Sequence, residues 1–207
     1  KITGQINSRD FAVMKYKMTR LSALNMREVK IVAGEAGGYE GSYNTDHWYE
    51  ANRENMIPGF AFSEKSTLTS CVLPETVTEI GNCAFFRCSF LSGSLILPEG
   101  LVKIDTEAFR ECRALTGELK MPSTLQEIGR LAFWQAGFVC ELKFPDSLLH
   151  LGSGAFGGCS GLYGELRLPA NLKTLGVNGG EGCFQGCNNL TGSLEIPQGV
   201  TTVPTSC

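Results

Sequence analysis

Charged side chains are scarce in this sequence, 19% of its 207 residues, against about a quarter in an ordinary globular chain. The charge present nearly cancels, 18 Lys and Arg against 21 Asp and Glu for a net of −3. Without a basic field to hold phosphate backbones, nucleic acid and anionic membrane are poor partners. No apolar run is long enough to cross a bilayer. Nor does the start read as a charged-then-apolar leader, which leaves a secretory signal unwritten in this stretch rather than excluded for the protein. Histidine is rarer still, with only His47 and His150 far apart in the chain. His150 reads as a framework residue, and His47-Trp48-Tyr49-Glu50 has no second ligand pair to make a metal site. Nucleophile-elbow, phosphate-loop and dinucleotide fingerprints are missing as well, so the expectation is a non-enzymatic protein without cofactor or metal.

Glycine is abundant instead, 25 residues or about 12% against a usual value near 7%, which implies many turns. The reason is an internal repeat. LTGELKMP at 115–122 recurs with changes as LSGSLILP at 91–98, LYGELRLP at 162–169 and LTGSLEIP at 190–197. The closing prolines Pro74, Pro98, Pro122, Pro145, Pro169 and Pro197 stand 24, 24, 23, 24 and 28 residues apart. Ala-Phe pairs recur at 61–62, 84–85, 108–109, 132–133 and 155–156, replaced by Cys183-Phe184 in the final unit. Apolar residues recur three and six places after the proline, from Val77 and Ile80 to Val200 and Val203. A unit this short cannot bury its apolar face alone and must stack on copies of itself, so the period predicts a solenoid of rungs.

Within a rung, Leu119-Lys120-Met121 and Leu166-Arg167-Leu168 alternate as a half-buried strand does, and proline stops the ladder. LQEIG and LVKID predict a short extended return, and GRLAFWQ and DTEAFRE a single helical turn that inserts the phenylalanine. Gly93, Gly117, Gly164 and Gly192 fall at the corner before the strand, where positive φ is useful.

The runs LPETVTEIGNCAFFRC, LPEGLVKIDTEAFREC and MPSTLQEIGRLAFWQA resemble the BspA-like class of leucine-rich repeats, over residues 56 to 207 or so. The resemblance implies a leucine-rich-repeat solenoid of short parallel β-strands with single helical turns. It also implies a secreted or cell-surface bacterial protein that engages a host or neighbouring cell through a protein or glycan ligand. A structural spacer that presents another domain away from the envelope is the alternative.

Residues 1–55 read as degenerate capping repeats. ITGQINS aligns with LTGELKM, LSALNM fits the LxxLxL strand, and Ser8 followed by Phe11, Met14 and Met18 predicts a short amphipathic helix with Ser8 as its cap. At the other end Cys207 stands at the offset from Pro197 that Ala84 has from Pro74, so the last unit stops in mid-repeat and another is expected to follow.

Cys88, Cys112, Cys159 and Cys187 share one column with Ala136, and Cys183 and Cys207 fall in the alanine column. Interchange with alanine predicts buried free thiols, with a disulfide or a zinc site as alternatives. Asn189-Leu190-Thr191 has the form of a glycosylation acceptor but belongs to the repeat consensus.

Two places are candidates for ligand contact. On the outward strand face Glu118, Glu141 and Glu165 are expected in one column beside Lys120, Lys143 and Arg167, forming an ion-pair lattice. The second is an insertion near residues 33–55, which brings Tyr39, Tyr43, Asp46, Trp48 and Tyr49 together among glycines, a composition suited to recognition.

Overall fold

The computed structural model describes residues 1–34, 53–177 and 180–201. Its strands are β1 (Gly4–Ile6), β2 (Ala23–Asn25), β3 (Val29–Ile31), β4 (Met56–Ile57), β5 (Ser70–Val72), β6 (Glu79–Ile80) and β7 (Leu95–Ile96). They continue with β8 (Lys103–Ile104), β9 (Leu119–Lys120), β10 (Glu127–Ile128), β11 (His150–Gly152), β12 (Tyr163–Glu165), β13 (Thr174–Val177) and β14 (Asn189–Thr191). All pair in parallel, each with its counterpart one rung away, as the repeat requires.

The continuous sheet is made by the return segments rather than by the LxL strands. Strands β4, β6, β8, β10, β11 and β13 form one six-stranded ladder, with Ile57, Ile80, Ile104, Ile128 and Leu151 in register and buried. Rungs approach so closely there that a Cβ on Gly129 would lie 2.5 Å from the Thr106 nitrogen. The LxL side is broken into the pairs β2–β5, β7–β9 and β12–β14.

The segment expected as a helical turn is tighter than one. Residues 83 and 87, 107 and 111, and 131 and 135 have φ between 53° and 60°. Every second amide donates back to the carbonyl three residues earlier, as Ala84 does to Gly81 and Phe86 to Cys83, while Cys83, Phe85 and Arg87 donate to Thr106, Ala108 and Arg110 of the next rung. Positive φ lets alternate amides face the neighbouring rung, so this side carries a backbone ladder of its own.

Inside, the phenylalanines form a column. Phe62–Phe85, Phe85–Phe109, Phe109–Phe133, Phe133–Phe156 and Phe156–Phe184 lie 5.2, 5.0, 5.5, 5.2 and 6.1 Å apart with interplanar angles of 28° or less. Beside them runs the cysteine column. Cys88, Cys112, Cys159 and Cys187 donate from Sγ to the carbonyls of Phe62, Phe85, Phe133 and Phe156, each one rung back, at 2.9–3.0 Å. All eight described cysteines are free, and burial pushes the Cys88 thiol up to about 12 and the Cys187 thiol up to about 11. Lys65 occupies the same column one rung earlier. Its Nζ donates to the carbonyls of Lys15 and Met18 at 3.2 and 2.8 Å, at the end of the N-terminal helical segment. A lysine reaches terminal carbonyls that a thiol could not, and burial lowers its pKa.

The N-terminal unit departs from expectation in three ways. Gly4–Ile6 pairs with Val29–Ile31, so ITGQINS is a return strand and not a copy of LTGELKM. Ile6 precedes the Phe11 ring, which meets Phe62 edge-on at 5.7 Å, as Ile80 precedes Phe85 in the repeat. Helix α1 (Ser8–Ala12) is capped by Asn7, not Ser8: Asn7 Oδ1 accepts from the Arg9 amide while Asp10 accepts from the Asn7 amide. It continues as a π turn over Val13–Lys17, and the wider winding leaves Met18 46% exposed instead of on the buried face. Corner glycines 93, 164 and 192 have positive φ as expected, whereas Gly117 is not among the positive-φ residues and is needed for its close approach to Ser94.

Candidate interaction face

The LxL strands differ in how much chain leads into them. Six residues separate Leu68 from Pro74, whereas seven separate Leu91 from Pro98, because the earlier rung lacks the corner glycine. Its strand position holds Cys71, where the later rungs hold Leu95, Leu119, Leu142, Leu166 and Leu194. Leu24 belongs to the short kind too, and β2 pairs with β5 directly, Leu24 facing Cys71 across a 47-residue separation in sequence. The ladder therefore passes the insertion, which falls between β3 and β4 in sequence, without a gap. Short and long rungs meet at β5 and β7. Ser92 reaches Thr69 through its amide and hydroxyl at 3.1 and 3.2 Å, and beyond that point the strands part.

The parting opens a cavity of about 270 Å³ that reaches Phe85 and Phe109 and has Arg27 and Glu75 at its rim. It adjoins a hollow over Ile96, Pro98, Glu118 and Lys120. A third, lined by Glu118, Lys120, Glu141, Lys143 and Tyr163, follows where β9 and the next strand separate. Three hollows thus run along one face, which also displays Ile96, Val139 and Tyr163, 77, 58 and 50% exposed.

The structure brings Glu118, Lys120, Glu141 and Lys143 together, but not in the expected lattice. Lys143 pairs with Glu141 and Arg167 with Glu165, each at 2.6 Å, along one strand rather than between rungs. Two displacements explain this. Strand β9 does not pair with the strand at Glu141, and from there on the register slips, so that Glu141 faces Tyr163 and Glu165 faces Thr191. Like charges consequently do not stack. Apart from Arg27–Glu75 at the cavity rim, the ion pairs between repeat rungs lie on the other faces of the coil, among them Arg53–Glu79 at 2.7 Å, Lys103–Glu127 at 3.3 Å, Arg87–Glu111 at 3.2 Å and Arg130–Glu181 at 2.7 Å. Arg130 holds the Glu181 carboxyl below its usual pKa. Tyr39, Tyr43, Asp46, Trp48 and Tyr49 lie outside the described residues.

Six copies of the BspA-type leucine-rich repeat region match residues 55–191, about two thirds of the sequence. The chain belongs to the BspA-type leucine-rich repeat family. Among solved structures, this repeat chain resembles a leucine-rich repeat protein from Bacteroides ovatus at 26% identity and TM-score 0.64, over 88% of this chain and 41% of that one. It resembles the T. pallidum leucine-rich repeat protein at 35% identity and TM-score 0.58, over 68% of this chain and 62% of that one. The chain thus spans less than two thirds of either protein. A search of the curated proteins found no match.

The cysteine-column thiols and the described histidine of this BspA-type chain have partners within the coil. Its described thiols in the cysteine column are buried donors with raised pKa, and His150 Nδ1 lies 3.0 Å from Thr174 Oγ1, a contact between neighbouring return strands. Among the described residues no group of three or more His, Cys, Asp or Glu could hold a metal, and no helix is long and apolar enough to cross a membrane. Cys71 and Tyr163 were not foreseen as features of this face. The signal for Cys71 was a cysteine in a leucine column after a corner one residue short. For Tyr163 no sequence signal existed, because its place beside Glu141 follows from the register slip.

Proposed function

We propose that this chain is a non-enzymatic recognition module of a secreted or cell-surface protein, with its partner held on the LxL face. One observation carries the reading. The return side carries a continuous sheet tied by ion pairs between rungs, and a hollow on it, over Glu79, Lys103, Glu127 and His150, is lined mainly by polar residues, whereas the LxL side is split and displays exposed Ile96, Val139 and Tyr163 among charged pairs. Exposed apolar groups rimmed by charge are what a partner can desolvate. Partners of this kind are proteins or glycans on a host or neighbouring cell, and adhesion is the use that the family resemblance suggests. Residues 33–55 are a second proposed contact region, through Tyr43 and Trp48.

The test is a protein and glycan array probed with the wild type, with Lys143→Glu and with Lys173→Glu on the return side. Lys143→Glu breaks an exposed pair that contributes little to folding, so it should melt almost as the wild type does and lose the partner, while Lys173→Glu keeps it. Tyr43→Ala with Trp48→Ala reports the second region by lost affinity at unchanged melting temperature. No partner on either array, or equal binding by Lys143→Glu and wild type, would favour the spacer and sink the assignment of the face.

A further inference from the structure

We infer that the split between β5 and β7 receives one apolar side chain of phenylalanine size, carried on an extended segment of a partner protein; this rests on the reading of the LxL face as the recognition surface. The cavity has a structural origin. A short corner and Cys71 in place of leucine leave a space of about 270 Å³ among Leu73, Leu91, Leu95 and Leu115, floored by Phe85 and Phe109. An enclosed apolar space of roughly 150 Å³ already accommodates benzene, so a phenyl ring fits. A whole organic ligand needs about 300–1,000 Å³, so anything larger than the ring has to extend out of the cavity into the neighbouring hollow.

The mouth says what kind of molecule bears the ring. It opens into the neighbouring hollow over Ile96 and Pro98 as far as Glu118 and Lys120, so whatever enters has room to continue along the face as a chain. At the near end Arg27 and Glu75 stand 3.8 Å apart, the longest of the ion-pair distances among the described residues, and are 60 and 75% exposed. Glu118 and Lys120 at the far end form no ion pair with any described residue. Each end therefore offers one cation and one anion to a partner, which matches a peptide with acidic and basic residues flanking its anchor. No backbone hydrogen bond joins Ser70–Val72 to Leu95–Ile96; the Ser70 amide, the Val72 carbonyl and the Leu95 amide are held by Ser22, Met26 and Glu118 on the outer sides, which leaves the Cys71 and Ile96 amides as the ones that face the split. A glycan would meet apolar side chains where its hydroxyls need partners, and the observations favour protein.

Two capped peptides, Glu-Ser-Phe-Ser-Lys and its charge-reversed order Lys-Ser-Phe-Ser-Glu, serve as probes, with alanine in place of phenylalanine as the control. Titrated into isotope-labelled protein, at least one phenylalanine probe should shift the amides of Cys71 and Ile96. Its alanine counterpart should bind at least tenfold more weakly, about 1.4 kcal/mol. Cys71→Leu installs the residue that five other rungs carry at this position, so it should fold with an equal or higher melting temperature and lose the probe tenfold. Ile96→Glu, at a side chain 77% exposed, should fold normally and also weaken it. No shift at those amides, equal binding of the alanine probe, or unchanged affinity in Cys71→Leu would overturn the inference. An array partner that still binds Cys71→Leu would overturn it too, while leaving the broader recognition reading intact.

Discussion

Replacing Phe109 tests whether the phenylalanine column holds the solenoid together. The ring is fully buried and lies between Phe85 at 5.0 Å and Phe133 at 5.5 Å, each within 4° of parallel. Truncation to alanine in a core of this density costs about 3–5 kcal/mol. Phe109→Leu keeps most of the volume and removes both ring contacts, each worth about 0.5–1.5 kcal/mol beyond burial, so it should cost about 1–3 kcal/mol. Phe184 is the control: it is partly buried, with one stacked neighbour at 6.1 Å and an edge contact to Phe144 at 6.2 Å, and Phe184→Leu should cost less than half as much. Because a solenoid's stability is a sum of rung and nearest-neighbour terms, weakening a central rung should also lower cooperativity. Urea denaturation followed by far-UV circular dichroism reads both, as a shift of the midpoint and a shallower transition for Phe109→Leu. A Phe109→Leu midpoint equal to that of the wild type, or a Phe184→Leu loss as large as that of Phe109→Leu, would refute the reasoning.

The seven buried thiols among the described residues should be almost unreactive in the native protein, so that a native thiol titration leaves at least seven of the nine unreacted and the count rises close to the full nine in denaturant; two or more disulfides in a non-reducing peptide map would contradict the hydrogen-bonded cysteine column. Lys65→Met should destabilise by about 1 kcal/mol, since it removes the Nζ donor that the Lys15 and Met18 carbonyls share, while the Leu21 amide still donates to Met18. Lys65→Cys, which restores the column's usual residue, should fare no better, because a thiol is too short to reach them. Hydrogen exchange of the α1 and β2 amides localises the effect, and protection unchanged in both variants would show that the lysine does not hold the N-terminal unit.

The architecture was legible because repetition multiplies a weak signal. One Ala-Phe pair says little, but five at a constant offset from proline specify a buried ring in every rung, and the rings do stack. Cysteine and alanine exchanged within one column for the same reason, since that position admits only a small group beside the rings. Local chemistry was legible less often. Ser8 and Asn7 are both acceptable caps, and the choice fell to Asn7 because Asp10 completes a reciprocal pair with it. ITGQINS carries the letters of an LxL strand, yet Ile6 pairs with Ile31 of the return ladder, a partnership that its own letters do not specify.

The sequence by itself determined the period, the parallel stacking and the identity of the buried columns, because each depends only on what recurs from one unit to the next. The tertiary structure decided which strands join. A missing corner residue before Cys71 and a register slip after Glu141 are small in the alignment, but strands pair through backbone groups whose positions shift with every residue gained or lost. These two misfits part β5 from β7, place Tyr163 beside Glu141, and turn the expected charge lattice into pairs confined to single strands. Pairing is a relation between rungs, so it is settled only when neighbouring rungs are set against each other.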